Sequence, residues 1–428
     1  MSDSALLLGS QALTVLATSL AAIAIARTLD PDDWGIFSAF LGLSLALAIV
    51  IEFGLGTWLL RELSSLFAGG ADQMRTRQRA GALVTSAVVV NAMLALPLVL
   101  AGAIWSATAG PGAVTAIALV SLLTYGALTA TATALEAHMR ARRQVLLVVG
   151  ASVFEKSILG AALLVAIVAD AGLAAIGVAY LVAGLSRGAF DAITVFWRHA
   201  VPLVPPRPRS VVALARASLP FALTTGSLNV IPRLDTFVLV TMSATSAAWF
   251  AIGDRVLGPA LLVPATVGSA LYPFMATASA RRTSPWRLAG ALAACGGMLA
   301  LLGILLAPFL IPLLFGSAYR DAVPVAQVML LALPIVYAAS PLLVVAYSHG
   351  RERSLIGPIL ATSLAGTAMI IVGEALGGTT LAAAGLVLRS FLFLLVVGTV
   401  AFAAWRRQGH EAVTSDLRSQ NRVSTQSP

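Results

Sequence analysis

Twelve runs of apolar residues, each long enough to cross a bilayer, govern what this chain can become: 4–27, 34–60, 80–104, 112–136, 145–168, 171–196, 212–240, 246–278, 286–316, 322–348, 355–375 and 380–403. A helix needs roughly 20 mostly apolar residues to span the hydrocarbon layer. Inside lipid, only helices and closed barrels satisfy their own backbone groups, and these unbroken runs have helical length. Composition agrees: 11% of the residues are charged and 59% hydrophobic, against about 25% charged in a soluble domain. The polar groups needed to coat a water-facing surface are absent. A soluble enzyme, a disulfide-stapled secreted domain and a disordered regulator are thereby excluded. The single cysteine, Cys295, sits in an apolar run and reads as a small core residue. The first run does not read as a secretory signal, because it lacks a basic leader and carries Asp3.

The placement of the cations gives the orientation. Nineteen of the 27 basic residues fall in one set of loops and in the C-terminal tail, whereas the opposite loops hold only Arg27 and Arg320. This bias predicts that both termini are cytoplasmic. It also explains the net charge of +9 without a nucleic-acid partner. The opposite loops (28–33, 105–111, 169–170, 241–245, 317–321 and 376–379) are too short to hold a catalytic domain. The inner stretch from Arg61 to Arg79 is long and polar enough for a short surface helix. Residues 197–211 contain Pro205-Pro206-Arg207-Pro208 and stiffen a connection near the midpoint of the chain. The expected architecture is an all-α polytopic membrane protein. Twelve transmembrane helices form an N-terminal six-helix lobe (1–196), a linker (197–211) and a C-terminal six-helix lobe (212–404) around a central cleft. A tail (405–428) has too few apolar groups to fold. Residues 27–37 and 240–250 form similar hairpin junctions at an offset of 213, with Thr28/Thr241 and Phe37/Phe250 identical. Six spans per half make such repeats parallel. Pro220, Pro232, Pro259, Pro264 and Pro273 make the seventh and eighth segments the ones expected to bend.

The junction Ala26-Arg27-Thr28-Leu29-Asp30-Pro31-Asp32-Asp33-Trp34-Gly35-Ile36-Phe37-Ser38 resembles the first outer loop of bacterial polysaccharide (O-antigen type) flippases. Phe53-Gly54-Leu55-Gly56-Thr57 with Arg61-Glu62-Leu63 resembles the end of their second span, and Asn229-Val230-Ile231-Pro232-Arg233-Leu234-Asp235 the polar patch of their seventh. The resemblance covers all but the tail. It implies the multidrug/oligosaccharidyl-lipid/polysaccharide exporter fold and movement of an undecaprenyl-pyrophosphate-linked oligosaccharide from the inner to the outer leaflet. The implied partners are that lipid-linked oligosaccharide, membrane lipids and polysaccharide assembly enzymes.

An ionisable group at the centre of a span costs about 2.5–3.5 kcal/mol on insertion scales, so the charged residues within the runs mark where function can lie. Lys156, Arg233, Arg255 and Arg389 are the candidate cleft cations, suited to the oxygens of an anionic head group. The competing reading pairs them with Asp235, Asp254 or Glu155 on other helices. Glu52 and Asp235 are candidates for carrying a coupling ion. Arg187 and Asp191 share a helix face at i, i+4 and form a local pair. Glu155/Lys156 and Asp254/Arg255 point about 100° apart, so each is expected to seek another helix or water. Glu374 sits at an outer span end, and Gly54 and Gly56 permit close helix packing. His138, His199, His349 and His410 have no metal-binding spacing. In the stretch Gly150–Ser157, Glu155 stands where a phosphate loop needs glycine. No cofactor, metal or catalytic activity is expected. Two other functions stay open: an ion-coupled multidrug antiporter on the same fold, and a polysaccharide polymerase or ligase, which would need a large outer loop.

Overall fold

The computed structural model describes residues 3–68, 73–108, 112–206, 208–264, 266–267, 284–348 and 351–424. Helices occupy nearly all of them. In the first half these are α1 (Asp3–Thr28), α2 (Pro31–Glu52), α3 (Leu55–Ala68), α4 (Gln73–Thr108), α5 (Ala113–Ala141), α6 (Val145–Val168) and α7 (Gly172–Ala192). In the second they are α8 (Pro208–Val240), α9 (Ala244–Ala260), α10 (Pro285–Phe315), α11 (Ala322–Leu330), α12 (Leu333–Ser348), α13 (Glu352–Gly377) and α14 (Thr379–Ser424). Among the described residues, ten helical stretches are long and apolar enough to cross a membrane. They match segments two to six and eight to twelve. The first segment contains a shorter apolar helix, Ala12–Thr28, and the seventh lies within α8. The chain is a multi-pass membrane protein of helices.

Local chemistry sets the helix ends. The Asp30 carboxylate accepts from the Asp33 amide at 2.8 Å and Pro31 opens α2, an N-cap followed by a residue that needs no donor. Ser243 caps α9 in the same way, accepting from Ser246 N at 3.2 Å. The second segment is not one helix. Phe53 (φ 51°) and Gly54 (φ 69°) turn left-handed, ending α2 and starting α3; α3 supplies the surface helix expected after Arg61. A turn of π-helix over Ile193–Arg198 extends α7. Helix α8 carries Pro220 and Pro232 with unbroken helical backbone, whereas α9 gives way at Leu261, two residues after Pro259. Residues 268–283, including Pro273, lie outside the described residues. Helix α14 continues to Ser424, so the backbone of 405–424 is helical where the composition predicts no fixed structure. A helix already nucleated by a packed span propagates at little further cost.

Helix α5 is the hub of the first half, packed against α2, α3, α4 and α7; in the second, α10 packs on α12, α12 on α14 and α14 on α13. Close approach rests on small residues: a Cβ at Gly126 of α5 would collide with the Ser44 carbonyl of α2. The halves also touch, since α2 lies along both α8 and α9. The outer faces are greasy. Met298, Leu301, Leu302, Leu305 and Phe309 of α10 and Met93, Leu96, Leu100 and Ile104 of α4 are all exposed, a surface that lipid rather than water would solvate.

Candidate functional site

Helices α2, α8, α9, α14 and the start of α12 enclose a cavity of about 400 Å³. Its wall brings together Arg233, Arg255 and Arg389 with Asp235 and Asp254. Each arginine stands about ten residues or fewer from the end of its helix near the arginine-poor loops. At 1.5 Å per residue this is about 10–15 Å deep, close to the middle of a 30 Å hydrocarbon layer.

The three arginines differ in what they are free to do. Arg389 Nη1 lies 2.5 Å from Asp235 Oδ2, and Thr367 Oγ1 donates to Asp235 Oδ1 at 2.8 Å. Asp235 is 1% exposed. Gly366 makes the pair fit: a Cβ there would meet Arg389 Cβ and Cδ at 2.5 Å. Arg389 and Asp235 thus partner each other. Arg233 and Arg255 make no ion pair within 4.0 Å among the described residues, so their donors remain for a guest. Gly42 lets α2 sit against the Arg233 carbonyl, where a Cβ would come within 2.7 Å. Ser38 Oγ, buried on the same wall, has no hydrogen-bond partner among the described residues. Arg255 also borders an apolar crevice of about 240 Å³ between α1, α9 and α10, with Ile23, Val256, Ala307 and Leu310. One guanidinium thus separates a polar cavity from a greasy slot.

Lys156 is not in this cavity. It lines a separate hollow of about 250 Å³ with Leu13, Thr14 and Ala17 of α1, and its Nζ lies 2.9 Å from Glu155 Oε1. Lys156, expected to seek another helix or water, pairs with its own neighbour, because the lysine's four-carbon stem spans the angular offset. Glu155 also finds another helix, as expected, accepting from Tyr125 OH at 3.0 Å and from Arg187 Nη1 at 2.7 Å. Arg187 further pairs with Glu136 Oε1, with Asp191 Oδ2 at 3.4 Å and with Ser152 Oγ at 3.3 Å. Arg140 Nη2 holds the other Glu136 oxygen at 2.9 Å. Sequence reasoning missed Glu136 and Tyr125. The signal was present for Glu136, four residues before Arg140 at the edge of its segment; α5 runs past the apolar run and draws Glu136 inside.

Glu52, a candidate for ion coupling, caps a helix. Its two carboxylate oxygens accept from Gly56 N at 2.6 Å and Gly54 N at 3.0 Å, placing its charge at the N-terminus of α3. Glu374 accepts from Ser246 Oγ at 2.6 Å. The rings of His138 and His199 lie 5.5 Å apart, tilted by 39°, and no group of three metal-ligating side chains occurs among the described residues. Burial, with Arg142 and Arg198 nearby, lowers the His199 pKa below its ordinary value.

Near the arginine-poor loops, bonds join the halves. Arg27 Nε donates to Leu314 O at 2.8 Å and its Nη2 to Leu313 O, capping the end of α10. Thr245 Oγ1 donates to Asp32 Oδ1, and Tyr319 OH to Leu29 O at 3.3 Å.

A family profile described as "Polysaccharide biosynthesis protein" matches residues 1–279. No curated protein sequence matches the chain. Among solved structures, the chain is similar to an inward-facing multidrug resistance MATE family transporter of the MOP superfamily. The TM-score is 0.70 at 13% identity, covering 92% of this chain and 95% of that one. It is similar to the lipid II flippase MurJ in an inward closed conformation, with TM-score 0.69, 13% identity and coverage of 91% and 85%. An outward-facing MATE structure gives a TM-score of 0.62 at 12% identity, covering 95% and 96%. At these identities the likeness is one of fold.

Proposed function

Because the chain belongs to the polysaccharide biosynthesis protein family, we propose that it is a flippase of a bacterial plasma membrane. Its cargo is undecaprenyl-pyrophosphate-linked oligosaccharide, of the kind used to build O-antigen and other surface polysaccharides, moved from the inner to the outer leaflet. Twelve spans form two six-helix lobes with both termini cytoplasmic, and the cavity between α2, α8, α9 and α14 receives the head group. The observation that carries this reading is Arg255 with Arg233: two guanidinium groups on one cavity wall, without an ion pair among the described residues, with Arg255 also beside an apolar crevice. Each can grip a phosphate in bidentate fashion, while a polyprenyl chain stays in the crevice or in lipid. Lobe rocking around the site would expose it to either side in turn. The bonds made by Arg27, Asp32 and Tyr319 support a state closed at the outer end.

The antiporter reading needs an acidic cavity for cationic drugs. Here three arginines face two aspartates, and Asp235 is already taken by Arg389. The test is delivery of the lipid-linked oligosaccharide. In a strain lacking this gene and any redundant exporter, it should accumulate on the inner leaflet. The wild-type gene should restore delivery; Arg255→Ala should not, at equal membrane abundance. Normal delivery in the deletion strain overturns the reading, and tolerance to cationic dyes conferred by the wild-type gene favours the antiporter.

A further inference from the structure

The first half holds a second polar centre, remote from the head-group cavity, that the proposed function leaves unused. Asp191 of α7 is fully buried at 0% exposure. Its Oδ2 has a single long contact, 3.4 Å from Arg187 Nε, and its Oδ1 meets no donor among the described residues. A buried carboxylate so poorly compensated is unstable as an anion. Its neighbours are better provided for. Glu155 has Arg187, Lys156 and Tyr125; Glu136 has Arg187 and Arg140. One guanidinium thus serves three carboxylates, and Asp191 holds the weakest share. The charged and titratable groups around it are Arg187 on its own helix, Glu136, Arg140 and Tyr125 from α5, and Glu155 and Lys156 from α6.

We propose that Asp191 is the proton carrier of the transporter, loaded and unloaded once per cycle, with Arg187 redistributing its charge among Asp191, Glu155 and Glu136. The balance is simple. A proton from water adds to the Asp191 carboxylate, which becomes neutral and releases its claim on Arg187. In the other state the proton returns to water and Arg187 takes up the anion again. Arg140, whose side chain is 48% exposed, holds the 8% exposed Glu136 and so links this centre to the surface. The π-helical turn starting at Ile193, two residues after Asp191, widens the backbone there. Glu155 accepts from Tyr125, and the Tyr125 ring meets the Tyr180 ring edge-on at 5.3 Å. This inference rests on the flippase reading for its cargo, but not for its proton.

Two measurements on the full-length protein separate the two claims. Infrared difference spectra of the protein in lipid nanodiscs, taken from about pH 8 to about pH 5, should show a protonated carboxyl band that Asp191→Asn removes and Asp254→Asn keeps. A band unchanged in Asp191→Asn overturns the proposal. Asp191→Glu keeps a titrating group; its band should persist with a displaced midpoint, and an undisplaced midpoint overturns the proposal even if the asparagine variant fails to fold. The second measurement uses proteoliposomes and a fluorescent farnesyl-pyrophosphate-linked N-acetylglucosamine. One proton per lipid should give about a tenfold leaflet excess for each pH unit of gradient. Asp191→Asn should flip the probe to an even distribution whatever the gradient. A gradient-driven excess retained in Asp191→Asn overturns proton carriage by Asp191. Failure of wild type to move the probe counts against the flippase reading alone, and the infrared result then decides the proton site by itself.

Discussion

Among single residues, the sequence locates charges by depth but not by direction. Counted from the ends of the apolar runs near the arginine-poor loops, Arg233, Arg255 and Arg389 lie about seven to ten residues deep, and the structure brings all three to one wall. Lys156, also near mid-span, projects toward α1 instead, because a helix turns 100° per residue and depth says nothing of azimuth. Nor could the sequence tell which arginine is consumed. That depends on Gly366 and Thr367 of α13 meeting Arg389 and Asp235. The difference has a measurable consequence. Arg389→Ala strands the buried Asp235 carboxylate, and breaking a buried pair this way typically costs about 3–5 kcal/mol. Membrane abundance and the detergent unfolding temperature should both fall. Changing both partners, Asp235→Asn with Arg389→Gln, should recover most of the loss. Arg255→Ala, which strands no ion-pair partner among the described residues, should leave abundance and unfolding temperature at wild-type values. If Arg389→Ala were as stable as Arg255→Ala, the structural role of the Asp235–Arg389 pair would be wrong.

The elements themselves were more legible than their interruptions. Apolar runs announce a span because lipid demands about the same length everywhere, and the ten membrane-length helices fall on predicted segments. Hydropathy does not register a break that stays apolar. The second segment looked continuous, yet it divides at Phe53-Gly54, and the carboxylate of Glu52 becomes the cap of α3. That break also seats α8: a Cβ on Gly54 would stand 2.5 Å from Ala222 N and 2.7 Å from Phe221 Cβ. Gly54→Ala therefore suffers twice. A left-handed backbone costs a non-glycine residue about 1 kcal/mol or more, and overpacking typically adds about 1–3 kcal/mol. The expected outcome is loss of thermal stability together with impaired transport. Gly112→Ala supplies the control: it shares the positive φ, at 86°, but a Cβ there meets nothing within 4 Å. If the two variants lost equal stability, the contact between the α2–α3 break and α8 would carry no energy.

For the whole molecule, the faint internal echo gains physical meaning. The offset of 213 that aligns residues 27–37 with 240–250 also separates Asp32 from Thr245, whose side chains are hydrogen-bonded to each other. Equivalent residues of two repeats can touch only near the axis that relates them, as in any self-complementary two-fold contact. Their helices, α2 and α9, do pack together. If the halves rock as proposed, the outer end of that axis is where they part. Arg27, spanning from the first hairpin to the end of α10, reinforces the same seam. Tying Asp32 to Thr245 should therefore arrest the cycle with the outer end shut. In a Cys295→Ser background, which removes the only native cysteine, Asp32→Cys with Thr245→Cys can be joined by a short, reducible bis-thiosulfonate reagent. Delivery of the lipid-linked oligosaccharide should fall to the level of the deletion strain on cross-linking and return on reduction. Either single cysteine, treated identically, should transport normally. Undiminished delivery by the cross-linked protein would mean that the halves do not separate at this end, and the alternating-access mechanism would have to be abandoned for this chain.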